Sequence, residues 1–316
     1  MALLEQAARR GLSLGLTGIG YDGEERDTVT LLPKPRIRVP AGVLVTTSES
    51  CLQTTDAQWT GFRRTGFRTA LGEVVVVRVT APGLLVVAGP NKAHELEQVR
   101  RMLADEKLEL LMVDGSLNRI APMAVVDRLV FSTGAARSTD LRAVVGEMEA
   151  IEVVFGIPQM GGEDDGETAQ EGTVMTAAAS TEEAVRAAQR GSGLVRWRGL
   201  VALDLLSAMT PALGRRSATV LFDDPLKLVL AGDIRRVAEQ VASARSAGVR
   251  LICRRVPRLA AVTSNPFYPA YDGTVYSGST VDPAELQTAL RAALSVPVVD
   301  VVKDGGEVLF AAAWPA

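Results

Sequence analysis

Leu12–Asp27, LSLGLTGIGYDGEERD, decides how the rest of the chain is read. It opens as an apolar run, passes Gly18 and Gly20, and closes on the acids Asp22, Glu24, Glu25 and Asp27. A short apolar run ending in glycine and then carboxylates is the pattern of a buried strand whose C-terminal tip opens onto a polar site. In open α/β sheets, ligands bind outside the carboxyl ends of the strands. A strand followed by a solvated acidic turn has the same pattern, because acids also crowd ordinary turns.

Just upstream, Ala2–Arg10 reads as a helix, with Leu3, Leu4, Ala7 and Ala8 on one face and Gly11 at the C′ position. A βαβ unit needs a strand before its helix, so the sequence reads as lacking a first strand and the loop after it. Downstream, Pro33, Pro35 and Pro40 exclude a long helix. Gly42–Thr47 is an expected strand. Thr54–Thr69 is expected to be irregular, with Trp59, Phe62 and Phe67 as packing anchors. Glu73–Thr80 and Leu84–Ala88 are expected to form a hairpin across Ala81-Pro82-Gly83. A helix is expected from Gly89-Pro90-Asn91 to about Asp105, then buried strands at Leu108–Val113 and Val125–Phe131, and a helix from about Thr139.

This alternation predicts an α/β fold with a mostly parallel sheet covered by helices on both faces, plus a second, smaller α/β half. The expected division is 1–160 for the first domain, 161–173 for an acidic, glycine-rich linker or loop (GGEDDGETAQEG at its centre), and 174–316 for a C-terminal α/β domain. In that second half, Ser180 and Glu183 form a capping box. Gly199–Met209 fits helix or strand, Ala218–Phe222 a strand, and Pro225–Leu230 a further short strand. Asp233 starts a helix closed by Gly248, and Val249–Cys253 and Leu259–Thr263 are strands. Asn265–Gly278 is a structured loop, Asp282-Pro283-x-Glu285 begins a helix, and Val298–Val302 is a last strand.

At 316 residues with 47% hydrophobic and only 4% aromatic content, the chain has an aliphatic core of the kind buried parallel strands need. A net charge of −3 and a pI near 5.5 argue against a nucleic-acid surface spread over the molecule. Arg63, Arg64 and Arg68 read as a solvated face. Cys51 and Cys253 are far apart and outside any C-x-x-C, which argues against a structural disulfide or cysteine-zinc site and fits a reducing compartment. The single histidine, His94, falls at a solvated helical position and leaves little room for Ser-His-Asp chemistry. No apolar run spans a bilayer and no signal peptide is evident, so a cytoplasmic location without membrane attachment is expected.

Three expected strand tips carry polar groups: Asp22 to Asp27, Asp114-Gly-Ser116-Leu-Asn118, and Ser132-Thr133-Gly134. An apolar strand ending in Asp is the pattern by which P-loop proteins hold Mg²⁺. The partner motif, G-x-x-x-x-G-K-[ST], occurs nowhere in the chain. Gly18-x-Gly20-x-x-Gly23 is followed by charges and prolines rather than an apolar helix, which rejects it as a dinucleotide fingerprint.

GLTGIGYDGEERD, the PKPRI after it, TALGEVVVVRV, LLMVDGSLNR and AVTSNPFYP resemble the P-loop-type subunit of the lysine 5,6-aminomutase reactivase family. The resemblance runs over most of the chain and is densest from Leu12 to Gly134. It implies a P-loop NTPase-like fold, ATP and Mg²⁺ as cofactors, and a larger actin-like ATPase subunit as partner. The client would be an adenosylcobalamin- and PLP-dependent aminomutase whose damaged cobalamin is exchanged for intact cofactor. The candidate cofactor-binding residues are Asp22, Glu24, Asp27, Asp114, Ser116 and Asn118, with Asp22 and Asp114 as Mg²⁺ ligands and no tightly bound metal. The family begins with a strand and a G-K-T loop upstream of the helix, and both are missing here. A start placed downstream of the native one, a trimmed chain, or loss of nucleotide binding would each account for this. The first is preferred, because a central strand is costly to lose. The missing strand is expected to leave a slot between the Leu12–Ile19 and Leu108–Val113 strands. Two alternatives stand beside the reactivase: a small-molecule ATP-dependent ligase of the dethiobiotin-synthetase type, and a nucleotide-free scaffold.

Overall fold

A computed structural model describes residues 1–22, 37–115, 125–161, 175–190, 193–214 and 218–314. The chain is mixed α/β, with parallel sheets and helices, and divides into two compact units. The first holds Met1–Thr139, Ala260–Gln287 and Val296–Ala316; the second holds Asp140–Leu259 and Thr288–Ser295. This differs from the expected division: the boundary falls at Thr139, and the chain returns to the first unit after Leu259.

In the first unit, α1 (Ala2–Arg9) buries Leu4 and Ala7. It stops at Gly11, which adopts φ +70°, while the N–H groups of Gly11 and Leu12 donate to the carbonyls of Ala8 and Ala7. The chain then enters β1 (Leu14–Gly18), buried at every residue. The strands β2 (Tyr21–Asp22), β3 (Arg38–Val39) and β4 (Leu44–Ser48) follow, and Ser48 caps the single-turn α2 (Glu49–Leu52). Next come β5 (Gln58–Thr69), β6 (Gly72–Ala81), β7 (Gly83–Leu84), β8 (Val87–Ala88), α3 (Ala93–Ala104), β9 (Leu110–Asp114) and β10 (Arg128–Gly134). The main sheet has the order β5-β6-β4-β1-β9, with β4, β1 and β9 parallel and β6 and β5 antiparallel. Leu14, Leu16, Val75, Val77 and Val79 pack on one face with Leu4 and Ala7 of α1. On the other face, Leu44, Val76, Leu108 and Leu111 pack with Val99 and Leu103 of α3.

Three expectations are corrected here. The Thr54–Thr69 segment is largely strand β5, and Trp59 and Phe62 lie exposed on it rather than in the core; Phe67 packs partly buried. Glycines at 61 and 66 break the alternation that would have marked a strand, and backbone pairing to β6 forms it regardless, with two of the irregularities spanning or adjoining those glycines. The hairpin is therefore β5–β6. The segments after Pro82 pair elsewhere, β7 with β3 and β8 with β2. Finally, β1 and β9 are direct neighbours from Leu14↔Leu110 to Gly18↔Asp114, so no slot lies between them.

The second unit begins with α4 (Leu141–Phe155), capped by Asp140, and continues with β11 (Met175–Ala178), α5 (Thr181–Gln189), β12 (Leu194–Trp197), α6 (Leu205–Gly214), β13 (Thr219–Phe222), α7 (Leu226–Val229), α8 (Ile234–Ser246) and β14 (Arg250–Cys253). Its sheet, β11-β12-β13-β14, is entirely parallel. Trp197, Phe222, Leu251 and Met209 form the centre of its core. The Pro225–Leu230 segment is α7 rather than a strand, because the Asp224 carboxylate accepts the Leu226 N–H (3.0 Å) and starts a turn. Gly199–Met209 resolves as the approach to α6 and its first half.

Back in the first unit come β15 (Arg258–Asn265, its first two residues in the second unit), β16 (Phe267–Tyr271) and β17 (Tyr276–Thr280). These are followed by α9 (Pro283–Ala293), β18 (Val298–Val299), α10 (Val301–Asp304) and α11 (Gly306–Ala313). The expected loop at Asn265–Gly278 is mostly the antiparallel β16–β17 hairpin. A three-stranded sheet, β10-β15-β18, completes the unit.

Besides the two-stranded β2–β8, β3–β7 and β16–β17 pairs, the first unit holds two larger sheets, and among the described residues β9 ends one and β10 ends the other. Every residue of β9 is only half-buried, although LLMV is as apolar as the buried β1. Leu3 of α1 packs both into the cluster that includes Leu110 and Met112 of β9 and into the one that includes Val130 of β10. On α11, Phe310 and Leu309 divide between the same two clusters.

Candidate functional site

Leu16-Thr17-Gly18 ends β1 beside Met112-Val113-Asp114 of β9, so the two carboxyl tips lie level. The Ile19 N–H donates to the Asp114 carbonyl (3.2 Å) and locks them together. The chain turns at Gly20 (φ +71°), and β2 pairs back along β8, placing Asp22 opposite Val87. Val87 is in turn the nearest side chain to Gly18. One backbone network around Gly18 and Val87 therefore positions both Asp22 and Asp114. Glu24, Asp27, Ser116 and Asn118 lie outside the described residues.

This network needs a glycine at position 89. A Cβ on Gly89 would collide with the carbonyl of Gly18. The Gly89 N–H donates to the Gly20 carbonyl (2.9 Å), and the Gly20 N–H donates to the Pro90 carbonyl (3.0 Å). The N–H groups of Ile19, Gly20 and Gly89 are all spent on backbone carbonyls, so this turn is no phosphate cradle.

Beneath the tips lies a layer of fully buried hydroxyls at Thr17, Thr46, Thr47 and Ser48. Thr17 and Thr46 share a hydrogen bond of 2.6 Å across the β1–β4 pair. Thr47 donates to the Val86 carbonyl at 2.7 Å. The sequence signal for this layer is the switch from LV to TTS at the end of an apolar run. At the third expected tip, Thr263 donates to Ser132 (2.8 Å), and a Cβ on Gly134 would strike the Asn265 carbonyl.

Asp114, half-buried at the tip of β9, carries hard oxygen donors of the kind Mg²⁺ takes, and such a site would need water and phosphate oxygens for the remaining positions. Among the described residues, no group of three or more His, Cys, Asp or Glu side chains could hold a metal on its own. His94 is exposed on α3, as its helical position suggests. Both cysteines are free and buried. Among the described residues, no helix is long and apolar enough to cross a membrane.

Compared with known proteins, the chain matches no family model, no curated protein and no solved structure.

Proposed function

We propose that the chain is the P-loop-type subunit of an ATP-dependent reactivase. In this reading it works with a larger actin-like subunit to exchange damaged cobalamin on lysine 5,6-aminomutase or a related aminomutase. The observation that carries the P-loop-like part is a pair of sheet edges in one unit, β9 and β10, each unpaired on one side among the described residues, with Leu3 of α1 packing into the same apolar clusters as both. One parallel strand between them would join the two sheets into β5-β6-β4-β1-β9-x-β10-β15-β18. It would also cover the half-buried apolar edge of β9. A strand leading into α1 and on to β1 meets the geometry of a parallel crossover. Its carboxyl tip would lie next to Asp114, and a glycine-rich loop there would supply the N–H groups that the Gly18–Gly89 crossing has spent.

ATP with Mg²⁺ would supply the phosphate chemistry. In this chain, Asp114 would hold the metal and β1 would fix the position of Asp114. The reactivase role rests on the family resemblance. The decisive assay adds the chain extended upstream through the proposed strand and loop, the actin-like subunit and ATP-Mg²⁺ to a cobalamin-inactivated aminomutase. Restored turnover is expected, and a mutase that stays inactive whether or not the chain is present would refute the role. The spent N–H groups at Gly18–Gly89 favour one second reading, the nucleotide-free scaffold. Substrate-dependent phosphate release by the chain alone would instead point to a ligase.

A further inference from the structure

The second unit has a charged constellation of its own at the carboxyl ends of its parallel strands. Arg196, one residue before the end of β12, donates from Nη2 to Asp223 Oδ1, just past β13, at 2.8 Å. Lys227 Nζ on α7 lies 3.7 Å from Asp223 Oδ2 and donates to the Gly199 carbonyl at 3.2 Å. Arg254, just past β14, places Nη1 4.0 Å from Asp223 Oδ1. The ends of β12 and β14 and helix α7 therefore bring three cations onto the carboxylate at the end of β13.

Two further observations separate this cluster from an ordinary ion-pair network. Arg196 Nε is buried and, among the described residues, has no acceptor. A buried donor left unmet is a cost that a bound acceptor would offset. The three cations outnumber the two carboxylates, Asp223 and its neighbour Asp224, whose carboxylate accepts the Leu226 N–H at 3.0 Å. The excess of positive charge lies where open parallel sheets bind ligands. Arginine's planar fork suits carboxylate and phosphate oxygens.

We infer that the tips of β12, β13 and β14 bind a small oxyanion, a carboxylate or a phosphate, through Arg196, Lys227 and Arg254. The site is independent of the nucleotide reading, because every residue in it belongs to the second unit.

Calorimetric titration of the whole chain with inorganic phosphate, and separately with succinate, tests this in low-chloride buffer. Saturable binding of at least one of them is expected at millimolar or tighter affinity, and the stronger binder identifies the anion. Arg196→Gln should weaken binding about tenfold or more, since it removes a charge-assisted donor. Arg254 is exposed, so Arg254→Gln should fold normally and weaken binding about threefold. It decides the matter if Arg196→Gln does not fold. Absence of saturable binding by either anion overturns the inference, as does binding that Arg254→Gln and any folded Arg196→Gln leave unchanged.

Discussion

At Gly89 the main chain passes so close to Gly18 that only glycine fits, and this contact fixes the geometry around Asp114 and Asp22. Gly89→Ala should destabilise the chain by about 2 kcal/mol or more, read as a lower urea midpoint, because the collision is with backbone rather than a movable side chain. The Thr17–Thr46 hydroxyl pair is expected to behave as a unit. Either single change to Val leaves a buried hydroxyl unmet and should cost about 1–3 kcal/mol, whereas the double change should be close to neutral. A double-mutant cycle in urea reads this coupling, and additive losses would contradict it. Cys253 is held in its thiol form by burial foremost and by the nearby Asp224 and Asp223. It should resist alkylation at pH 8 until the protein is unfolded. Asp114 was legible in the sequence, because an apolar run that ends in Asp announces a strand tip. The Gly18–Gly89 crossing and the Thr17–Thr46 pair were not. Both depend on which residues face each other across strands distant in sequence, and register of that kind is a tertiary property.

Helix and strand reading succeeded where caps or long apolar runs set the element. Asp233 accepts the N–H groups of Arg235 and Arg236, and Asp282 accepts those of Ala284 and Glu285, at helix starts expected from sequence. It failed where an element is made by its neighbour, as in β5, whose polar, glycine-interrupted sequence becomes strand by pairing with β6. Helix α3 carries a testable pH dependence. Hydrogen bonds from Arg100 foremost, and then from Arg101, hold the Glu97 carboxyl down to about 2, from an ordinary value of 4.5, against the opposing effect of burial. A carboxyl depressed in the folded state stabilises above its unfolded value and loses that contribution as pH falls through the folded one. Glu97→Gln should therefore cost a few tenths of a kcal/mol at pH 7, as surface helix pairs do. The gap between variant and wild type in urea should close between pH 4.5 and about 2. A constant gap across that range would contradict the assignment.

For the molecule as a whole, the alternation of strands and helices made the α/β class readable, but not how the sheets would be divided. Residues 260–287 and 296–316 return to the first unit and bring β15 and β18 beside β10, a long-range choice with no local signature. That return creates the second open edge. The central claim is that β9 and β10 are the two sides of one place for a strand, whose loop would complete a nucleotide site at Asp114. Calorimetry with ATP-Mg²⁺ tests it most directly, comparing the 316-residue chain with the same chain extended by the codons that lie in frame upstream of Met1. The account predicts no micromolar binding by the 316-residue chain and micromolar binding by the extended one. Tight binding by the shorter chain, or none by the longer, would contradict it.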